Sequence, residues 1–137
     1  KNKSRLNVFV SIPPTSPLRN ADDVEACIEC LLNSDADIVI TVTPAHRNPF
    51  FNMVFLDEEK NARIAMSPDG KIARRQEAPP VYDMTTVAYA ARPEFILNAK
   101  SMFEGKVKAV VVPVERSLDI DTELDFEIAG FLLNRML

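Results

Sequence analysis

Two short apolar runs, separated by a proline-rich loop and one amphipathic segment, constrain the fold of this chain more than any other feature. Both runs, residues 7–12 and 38–42, are rich in β-branched residues and have the length of buried strands. Prolines in residues 13–17 deny the intervening loop the hydrogen bonds of a helix or a sheet. Asn20 then suits a helix N-cap, and apolar residues recur at helical spacing as far as Asn33. Strand, loop, helix and strand predict a right-handed βαβ crossover, hence a parallel sheet.

The rest of the chain extends this α/β pattern. Residues 50–56 and 62–66 are predicted to form a hairpin whose polar tip is residues 57–61. Residues 85–91 and 107–112 predict further strands, 93–98 a short helix that starts on proline, and 122–136 a closing helix. Because apolar residues cover much of its circumference, we expect the closing helix to be well buried. The hairpin is apolar on both faces, so we expect it to pack against another subunit.

Composition excludes several classes of protein. The chain has 137 residues, enough for one domain with a core, and a net charge of −4. That charge argues against a nucleic-acid surface, which needs clustered lysine and arginine. No apolar run approaches the length of a membrane span, and no signal peptide is visible. Cys27 and Cys30 are expected to be free thiols of a cytoplasmic protein, because two ligands cannot close a zinc site.

Glycine is scarce, which limits how the chain can bind a nucleotide. The three glycines, Gly70, Gly105 and Gly130, are too far apart for a Gly-x-Gly-x-x-Gly or a Gly-x-x-x-x-Gly-Lys loop. This chain therefore carries no glycine loop that could cradle phosphates. If the protein binds a nucleotide, part of the phosphate-binding site lies elsewhere.

A metal site is one interpretation of the acidic stretch at residues 116–125. In an extended segment Asp119 and Asp121 share a face, and two neighbouring carboxylates repel each other unless a cation or water lies between them. Mg²⁺ commonly takes one or two carboxylates and completes its shell with water and substrate phosphate. The alternative is purely structural: Thr122 with Asp125 has the pattern of a helix N-cap followed by an acid three residues later.

Two loops carry arginines that are candidates for an anion. Residues 14–19 (Pro-Thr-Ser-Pro-Leu-Arg) follow the first strand, and ligands of parallel sheets bind beyond the carboxyl ends of strands. Arg74 and Arg75 lie in a second, proline-limited loop and suit a carboxylate or a phosphate. The alternatives are a rigid proline loop and a solvated pair of arginines. The single histidine, His46, is interpreted as a loop residue, since no neighbour in sequence orients it.

Taken together, these motifs resemble one enzyme family. Residues 14–19, then Arg74-Arg75-Gln76 with residues 79–82 (Pro-Pro-Val-Tyr), then residues 117–125 (Ser-Leu-Asp-Ile-Asp-Thr-Glu-Leu-Asp) are similar to the acylneuraminate cytidylyltransferases, or CMP-sialic acid synthetases. The resemblance covers essentially the whole chain but only the C-terminal part of the family. It implies an incomplete nucleotide-diphospho-sugar transferase-like domain over residues 1–137, an α/β fold with a parallel-to-mixed sheet flanked by helices and a β-hairpin dimerisation excursion at about 44–70.

The resemblance also implies an activity: transfer of CMP from CTP to a 2-keto-3-deoxy sugar acid, with release of pyrophosphate, by a homodimer. Asp119 and Asp121 would hold Mg²⁺. Substrate-binding roles are implied for residues that match the family's pattern, namely Thr15, Ser16, Arg19, Arg75, Gln76, Tyr89 and Phe103. In this assignment Arg75 would clamp the sugar carboxylate, and Phe103 with Met102 would form the apolar wall for the acyl group.

Several sugar-contacting positions depart from the family pattern. Pro13 replaces the usual glutamine, Thr85–Tyr89 replaces Asn-Gly-Ala-Ile-Tyr, Asp83 stands where a second arginine is common, and Met102 replaces an aromatic residue. The metal motif and the proline loop are retained while these positions change. The sequence therefore supports a cytidylyltransferase more firmly than it supports sialic acid as the substrate.

Two other functions are compatible with the sequence. A non-catalytic dimerisation or binding module would keep this architecture without the phosphate-binding loop, although it would have no need of two crowded carboxylates. A transferase of the keto-deoxy-octulosonate type would share the sheet but fits residues 14–19 less well. Under each hypothesis we expect the isolated 137-residue chain to be unable to turn over CTP.

Overall fold

The structure, a computed structural model, describes residues 6–66 and 78–136 and divides into two compact units. One unit comprises residues 1–43 with 84–137, and the other comprises residues 44–83. In chain order, the strands and α-helices of the described residues are β1 (Phe9–Ser11), α1 (Ala21–Leu32), β2 (Ile38–Pro44), β3 (Val54–Leu56), β4 (Ala62–Ile64), β5 (Tyr82–Ala91), α2 (Pro93–Asn98), β6 (Val107–Val111) and α3 (Glu123–Met136).

The main sheet is mixed, in the order β1-β5-β2-β6. Strands β2 and β6 are parallel, with Ile38 opposite Val107, whereas β1 and β5 are antiparallel, with Phe9 opposite Ala91. The predicted α/β class with a parallel-to-mixed sheet is confirmed. The sheet is not parallel throughout, because β5 lies between β1 and β2 and runs antiparallel to β1.

Strand β5 fills this central position because its side chains are small and apolar where it is enclosed. Val87, Ala88 and Ala90 are fully buried, and the Thr85 hydroxyl donates to Thr41 Oγ1 on β2 at 2.7 Å. On one side the core continues into α1, whose buried residues Cys27 and Leu31 belong to the same cluster, together with Ala36, Val39 and Val112. The sheet is thus the platform from which the loops of the first unit project.

Helix α1 begins as the sequence predicts. The Asn20 side chain accepts a hydrogen bond from the Asp23 backbone N–H at 3.0 Å, and Asp23 Oδ2 accepts from the Asn20 N–H at 3.0 Å, which is a complete capping box. The buried Asp23 carboxylate also accepts two hydrogen bonds from the Arg116 guanidinium, at 2.8 and 2.9 Å. One carboxylate therefore both starts α1 and anchors the chain just before the acidic stretch.

The two cysteines are free thiols in the structure, as predicted. Burial, together with Cys30 and Asp23, raises the pKa of the Cys27 thiol to about 11. The thiolate is the reactive form of cysteine, so Cys27 is protonated and unreactive at neutral pH.

Two expectations about burial are wrong. The sequence predicts a well-buried α3, yet Leu124 and Phe126 are 64% and 68% exposed, and Ala129 is its buried residue within the described part of the chain. The sequence also predicts that β1 is a buried strand, yet β1 is an outer strand of the sheet that the described residues form, and Phe9 is 41% exposed. The reason is the same in both cases: an apolar pattern shows that a face favours burial but does not say which residues cover it.

The second unit contains the predicted hairpin. Strands β3 and β4 are antiparallel, with Val54 opposite Ile64, and the Asp57 side chain accepts hydrogen bonds from the Asn61 backbone and side-chain amides at 2.8 and 3.1 Å across the tip. Large apolar side chains of this unit are exposed, namely Phe51, Met53, Val54, Phe55, Leu56, Ile64 and Met66.

Within residues 6–66 and 78–136, no helix combines the length and the apolar character that crossing a membrane requires.

Gly105 provides a test of packing beside β6. A Cβ atom at this position would lie 2.5 Å from Phe95 Cε2 and 2.9 Å from Asp37 Oδ2, the oxygen that accepts a hydrogen bond from the Lys106 N–H. We expect Gly105→Ala to lower the free energy of unfolding by about 1–3 kcal/mol through overpacking. Gly130→Ala is the matched control, because its Cβ would have no neighbour within 4 Å and alanine favours a helix. Equal effects of the two substitutions in urea unfolding would contradict the packing described here.

The Asp23 carboxylate predicts a pH dependence of stability. Burial opposes its ionised form, but the hydrogen bonds from Arg116 and the Asn20 N–H outweigh that effect and lower the pKa of Asp23. A lowered pKa in the folded state contributes stability that is present above the ordinary value of about 3.9 and is lost as pH falls through the folded value. We expect Asp23→Asn to be less stable than wild type at pH 7, and the gap to close below about pH 4. A gap that stays constant in urea titrations from pH 7 to pH 3 would show that the carboxylate charge does not stabilise the fold.

Candidate functional site

The loop after β1 and the acidic stretch before α3 meet in the folded chain. The Ile120 backbone N–H donates to the Thr15 carbonyl at 2.9 Å, although the two residues are more than a hundred positions apart in sequence. This hydrogen bond joins the Pro-Thr-Ser-Pro-Leu-Arg loop to the segment that contains Asp119 and Asp121. Two of the motifs that carry the family resemblance therefore form one local structure.

Asp119 is partly buried and is unusual in its hydrogen bonding. Its Oδ1 atom is enclosed and has no hydrogen-bond partner among the described residues. Buried carboxylate oxygens are normally paired, so an unpaired one at a loop junction is a candidate ligand for a cation or a hydrogen-bond acceptor for a substrate. Asp121, two residues on, is exposed to solvent.

The helix-cap interpretation of the acidic stretch holds for Asp125, and it does not account for Asp119 or Asp121. Asp125 Oδ2 accepts hydrogen bonds from the Thr122 N–H and hydroxyl at 2.8 and 2.7 Å, and the Asp125 N–H donates to Thr122 Oγ1 at 3.2 Å. Thr122 and Asp125 thus form the predicted cap of α3. Asp119 takes no part in this cap, and Asp121 contributes only its backbone N–H, so neither carboxylate is used by it.

The Arg19 side chain stabilises the proline loop through hydrogen bonds to two of its backbone carbonyls. Its Nε donates to the Ser16 carbonyl at 2.7 Å and Nη2 donates to the Pro13 carbonyl, while Nη1 is buried without a partner among the described residues. Burial lowers the pKa of Arg19, and the negative charge of Asp119 acts in the opposite direction. The guanidinium stays charged at neutral pH, because arginine is effectively always protonated in proteins.

The hydroxyl residues of the loop have different environments. Ser16 is fully buried, and its Oγ is 2.6 Å from Thr86 Oγ1 on β5, which fixes the loop to the sheet. Thr15 is partly buried and holds Ile120 through its carbonyl. A substrate contact by either side chain remains a prediction. The contacts show that Ser16 attaches the loop to the sheet and that Arg19 connects the loop to itself through backbone carbonyls.

Of the two predicted aromatic residues, one lies close to this site. Tyr89 on β5 is partly buried, and burial together with the negative charge of Asp119 raises the pKa of its phenol. The raised pKa keeps Tyr89 protonated at neutral pH, as a hydrogen-bond donor. Tyr89 and Met102 pack against the same buried cluster of β2 and β5, whereas Phe103 is 67% exposed.

Arg75 and Gln76 lie outside the described residues, so their predicted roles gain nothing from the structure. Asp83 and His46 are described and both are exposed.

No group of three or more His, Cys, Asp or Glu side chains that could enclose a metal occurs in the described ranges. The donor set that remains, two carboxylates of which one has a free buried oxygen, suits a hard cation such as Mg²⁺ that keeps most of its shell for water and phosphate.

Sequence reasoning missed the residues that support the acidic stretch. In the sequence, Asp23 lies just after the predicted N-cap of α1 and Arg116 begins the acidic stretch, and no pattern pairs the two residues. Their bidentate ion pair joins positions 93 residues apart. The one signal in the sequence was the position of Asp23, three residues after the N-cap, where a capping-box acid is held in a defined place.

Sequence comparison identifies enzymes among the relatives of this chain. It is 30% identical, over 96% of its length, to post-translational flagellin modification protein B of Campylobacter coli. It is 33% identical, over 85% of its length, to a CMP-N,N'-diacetyllegionaminic acid synthase of Campylobacter jejuni, and 30% identical, over 86%, to an N-acylneuraminate cytidylyltransferase of Streptococcus agalactiae. The chain spans 54%, 58% and 28% of these three relatives, about half the length of the first two. No protein-family model matches the sequence.

Structural comparison supports the same fold. The crystal structure of 4-diphosphocytidyl-2C-methyl-D-erythritol synthase from Anaerococcus prevotii superposes with a TM-score of 0.57 over 93% of this chain and 59% of that one, at 15% identity. At this identity the similarity shows a shared fold alone. The sequence relatives confirm the resemblance drawn from the motifs: this chain is a homologue of the acylneuraminate cytidylyltransferases.

Proposed function

We propose that this chain is part of an enzyme that transfers CMP from CTP to a 2-keto-3-deoxy sugar acid of the nonulosonic class and releases pyrophosphate. The observation that carries the proposal is the junction of the Thr15 loop with the acidic stretch, where Asp119 Oδ1 is buried and free of hydrogen bonds within the described residues. The named activities of the relatives, on legionaminic and neuraminic acids, support the substrate class.

The anomeric hydroxyl of the sugar acid would attack the α-phosphorus of CTP, and the bond from that phosphorus to the pyrophosphate oxygen would break. Positioning and neutralisation of charge provide most of the catalysis of such transfers. Asp119 and Asp121 are the residues that would hold Mg²⁺. When bound, the metal neutralises phosphate charge and assists ionisation of the sugar hydroxyl.

The chain's own residues would keep the acidic stretch in place. Thr15 holds the backbone at Ile120, and Arg19 holds the loop through the carbonyls of Pro13 and Ser16. The Arg19 guanidinium lies close enough to Asp119 to feel the charge of that carboxylate, which acts to raise the pKa of Arg19. These contacts favour an arrangement that exists before substrate binds, which lowers the entropic cost of reaching the transition state.

The sugar acid would lie against β5 and the turn after α2. Tyr89, protonated at neutral pH, is suited to donate a hydrogen bond to a sugar oxygen, and the exposed Phe103 ring suits an acyl group. Arg75 and Gln76 are assigned to the sugar carboxylate by the family resemblance alone. Because Met102 and Asp83 depart from the family pattern, we favour a nonulosonic acid other than the common sialic acid.

We further propose that the enzyme is a cytoplasmic homodimer that uses the hairpin of β3 and β4, within the excursion at about 44–70, as its interface. Free thiols at Cys27 and Cys30 fit a reducing compartment. The exposed apolar side chains of the hairpin are those expected of a surface that a second copy covers.

The activity is tested on the natural full-length polypeptide. We expect CMP transfer from CTP in the presence of Mg²⁺ to one member of a panel of nonulosonic acids, and a loss of about 100-fold or more in Asp121→Ala, because phosphate charge would no longer be neutralised. Glu127→Gln, an exposed acid on α3, is the matched control and should keep full activity. Residues 1–137 alone should be inactive, since they contain no glycine loop for the triphosphate.

A folded wild-type protein that transfers CMP to no sugar acid would contradict the enzyme and leave a non-catalytic binding module as the better account. Equal loss in Asp121→Ala and Glu127→Gln would show that the acidic stretch has no special role. Transfer only to keto-deoxy-octulosonate would identify the other transferase type considered from the sequence.

The dimer is tested separately. Val54 and Leu56 are 55% and 63% exposed and lie on the same face of β3. Replacing both with lysine should convert a dimer to a monomer in light scattering at micromolar concentration, because charges are costly in an apolar interface. Glu58→Lys, at the exposed hairpin tip, adds charge without removing apolar surface and should leave the dimer intact. A double variant that stays dimeric would place the interface elsewhere.

A further inference from the structure

Arg116 and Asp23 form the most highly organised ion pair beside the candidate site. Arg116 Nε and Nη2 donate to the two oxygens of Asp23 at 2.9 and 2.8 Å, a fork-to-fork arrangement that fixes orientation as well as distance. Asp23 is 4% exposed, and the Arg116 side chain is 27% exposed. A buried carboxylate held this way is costly to disturb, because an unpaired charge would be left out of water.

The pair anchors one end of the segment that carries Asp119. Arg116 lies three residues before Asp119, and the Ile120 hydrogen bond to Thr15 anchors the chain one residue after it. At the first anchor, the Ser117 N–H donates to the Val114 carbonyl at 3.2 Å and closes a short 3-10 turn over Val114–Arg116. Asp119 thus lies on a segment that is held at both ends.

Its side chain has no comparable support. Asp119 Oδ1 has no hydrogen-bond partner among the described residues, so no donor on that oxygen sets its direction. The position of the carboxylate then depends on the backbone that bears it. Small displacements matter here, because Mg²⁺ demands near-ideal ligand geometry.

We propose that Asp23 and Arg116 are positioning residues of the metal site, which hold the segment of Asp119 so that its carboxylate meets the cation. This inference rests on the proposed function, in which Asp119 and Asp121 bind the metal. Neither member of the pair is a ligand. Their effect on the metal passes through the backbone between Arg116 and Ile120.

Asp23 also caps α1, and the structure offers a way to separate the two roles. The Asn20 side chain takes part in the same capping box but makes no contact with Arg116 in the described hydrogen bonds. Asn20→Ala removes a cap and leaves the ion pair. Arg116→Gln removes the ion pair and leaves the backbone cap between Asn20 and Asp23.

The test is binding of Mn²⁺ alone to the natural full-length polypeptide, measured by the loss of the free-ion signal in electron paramagnetic resonance. We expect Arg116→Gln and Asp23→Asn each to weaken Mn²⁺ binding about 10-fold, the usual cost of losing a supporting residue of a metal site. The double variant should be little worse than either single one, since both remove the same pair. Arg116→Lys should recover only part of the affinity, because an ammonium group cannot reproduce the fork.

Asn20→Ala should bind Mn²⁺ as wild type does while its melting temperature falls by about 3–5 °C. Wild-type affinity in Arg116→Gln, or a loss in Asn20→Ala as large as that in Arg116→Gln, would overturn the positioning role. Absence of Mn²⁺ binding by the wild type would overturn it as well. Mn²⁺ binding that depends on Arg116 in a protein that transfers no CMP would support the positioning role and refute the proposed enzyme activity.

Discussion

The candidate site depends on one backbone hydrogen bond, from the Ile120 N–H to the Thr15 carbonyl. It joins the loop after β1 to the stretch before α3, and neither segment has regular structure of its own to hold it there. Each is therefore secured a second time. Ser16 ties the loop to Thr86 on β5, and Arg116 ties the stretch to Asp23 at the start of α1. The sheet and the first helix thus transmit their rigidity to two loops that would otherwise be mobile on the surface.

The electrostatics of this region follow from the same arrangement. Charged groups are rarely buried unless they are paired, and Asp23 with Arg116 obeys that rule fully. Arg19 and Asp119 obey it only in part: each has one buried polar atom without a hydrogen-bond partner within the described residues, although the charge of Asp119 acts on Arg19. One ion pair is fully hydrogen-bonded while polar atoms of two neighbouring charged residues are not, and such unpaired buried groups are typical of functional sites. This contrast is why we propose Asp119 as a metal ligand rather than Asp125, whose Oδ2 accepts hydrogen bonds in the cap of α3.

Local features of the fold could be predicted from the sequence, whereas features that join distant segments could not. The capping boxes at Asn20 and Thr122 and the hairpin tip at Asp57 depend on residues within a few positions, and each is found in the structure. The insertion of β5 between β1 and β2 depends on pairing between distant strands, which apolar patterns do not encode. The same limit hid the pair of Asp23 and Arg116. The exposure of α3 could not be predicted, because apolar side chains indicate that a helix face favours burial but do not identify the residues that cover it. For the candidate site, spacing suggested a cation, but the sugar and nucleotide roles came from family resemblance.

The most direct test of the central claim is a crystal structure of the natural full-length polypeptide with Mn²⁺ and CTP, in which anomalous scattering locates the metal. The account predicts an anomalous peak at about 2.1 Å from carboxylate oxygens of Asp119 and Asp121, with CTP phosphate oxygens completing the shell. Bound CTP with the metal peak elsewhere, and Asp119 Oδ1 still without a partner, would contradict it.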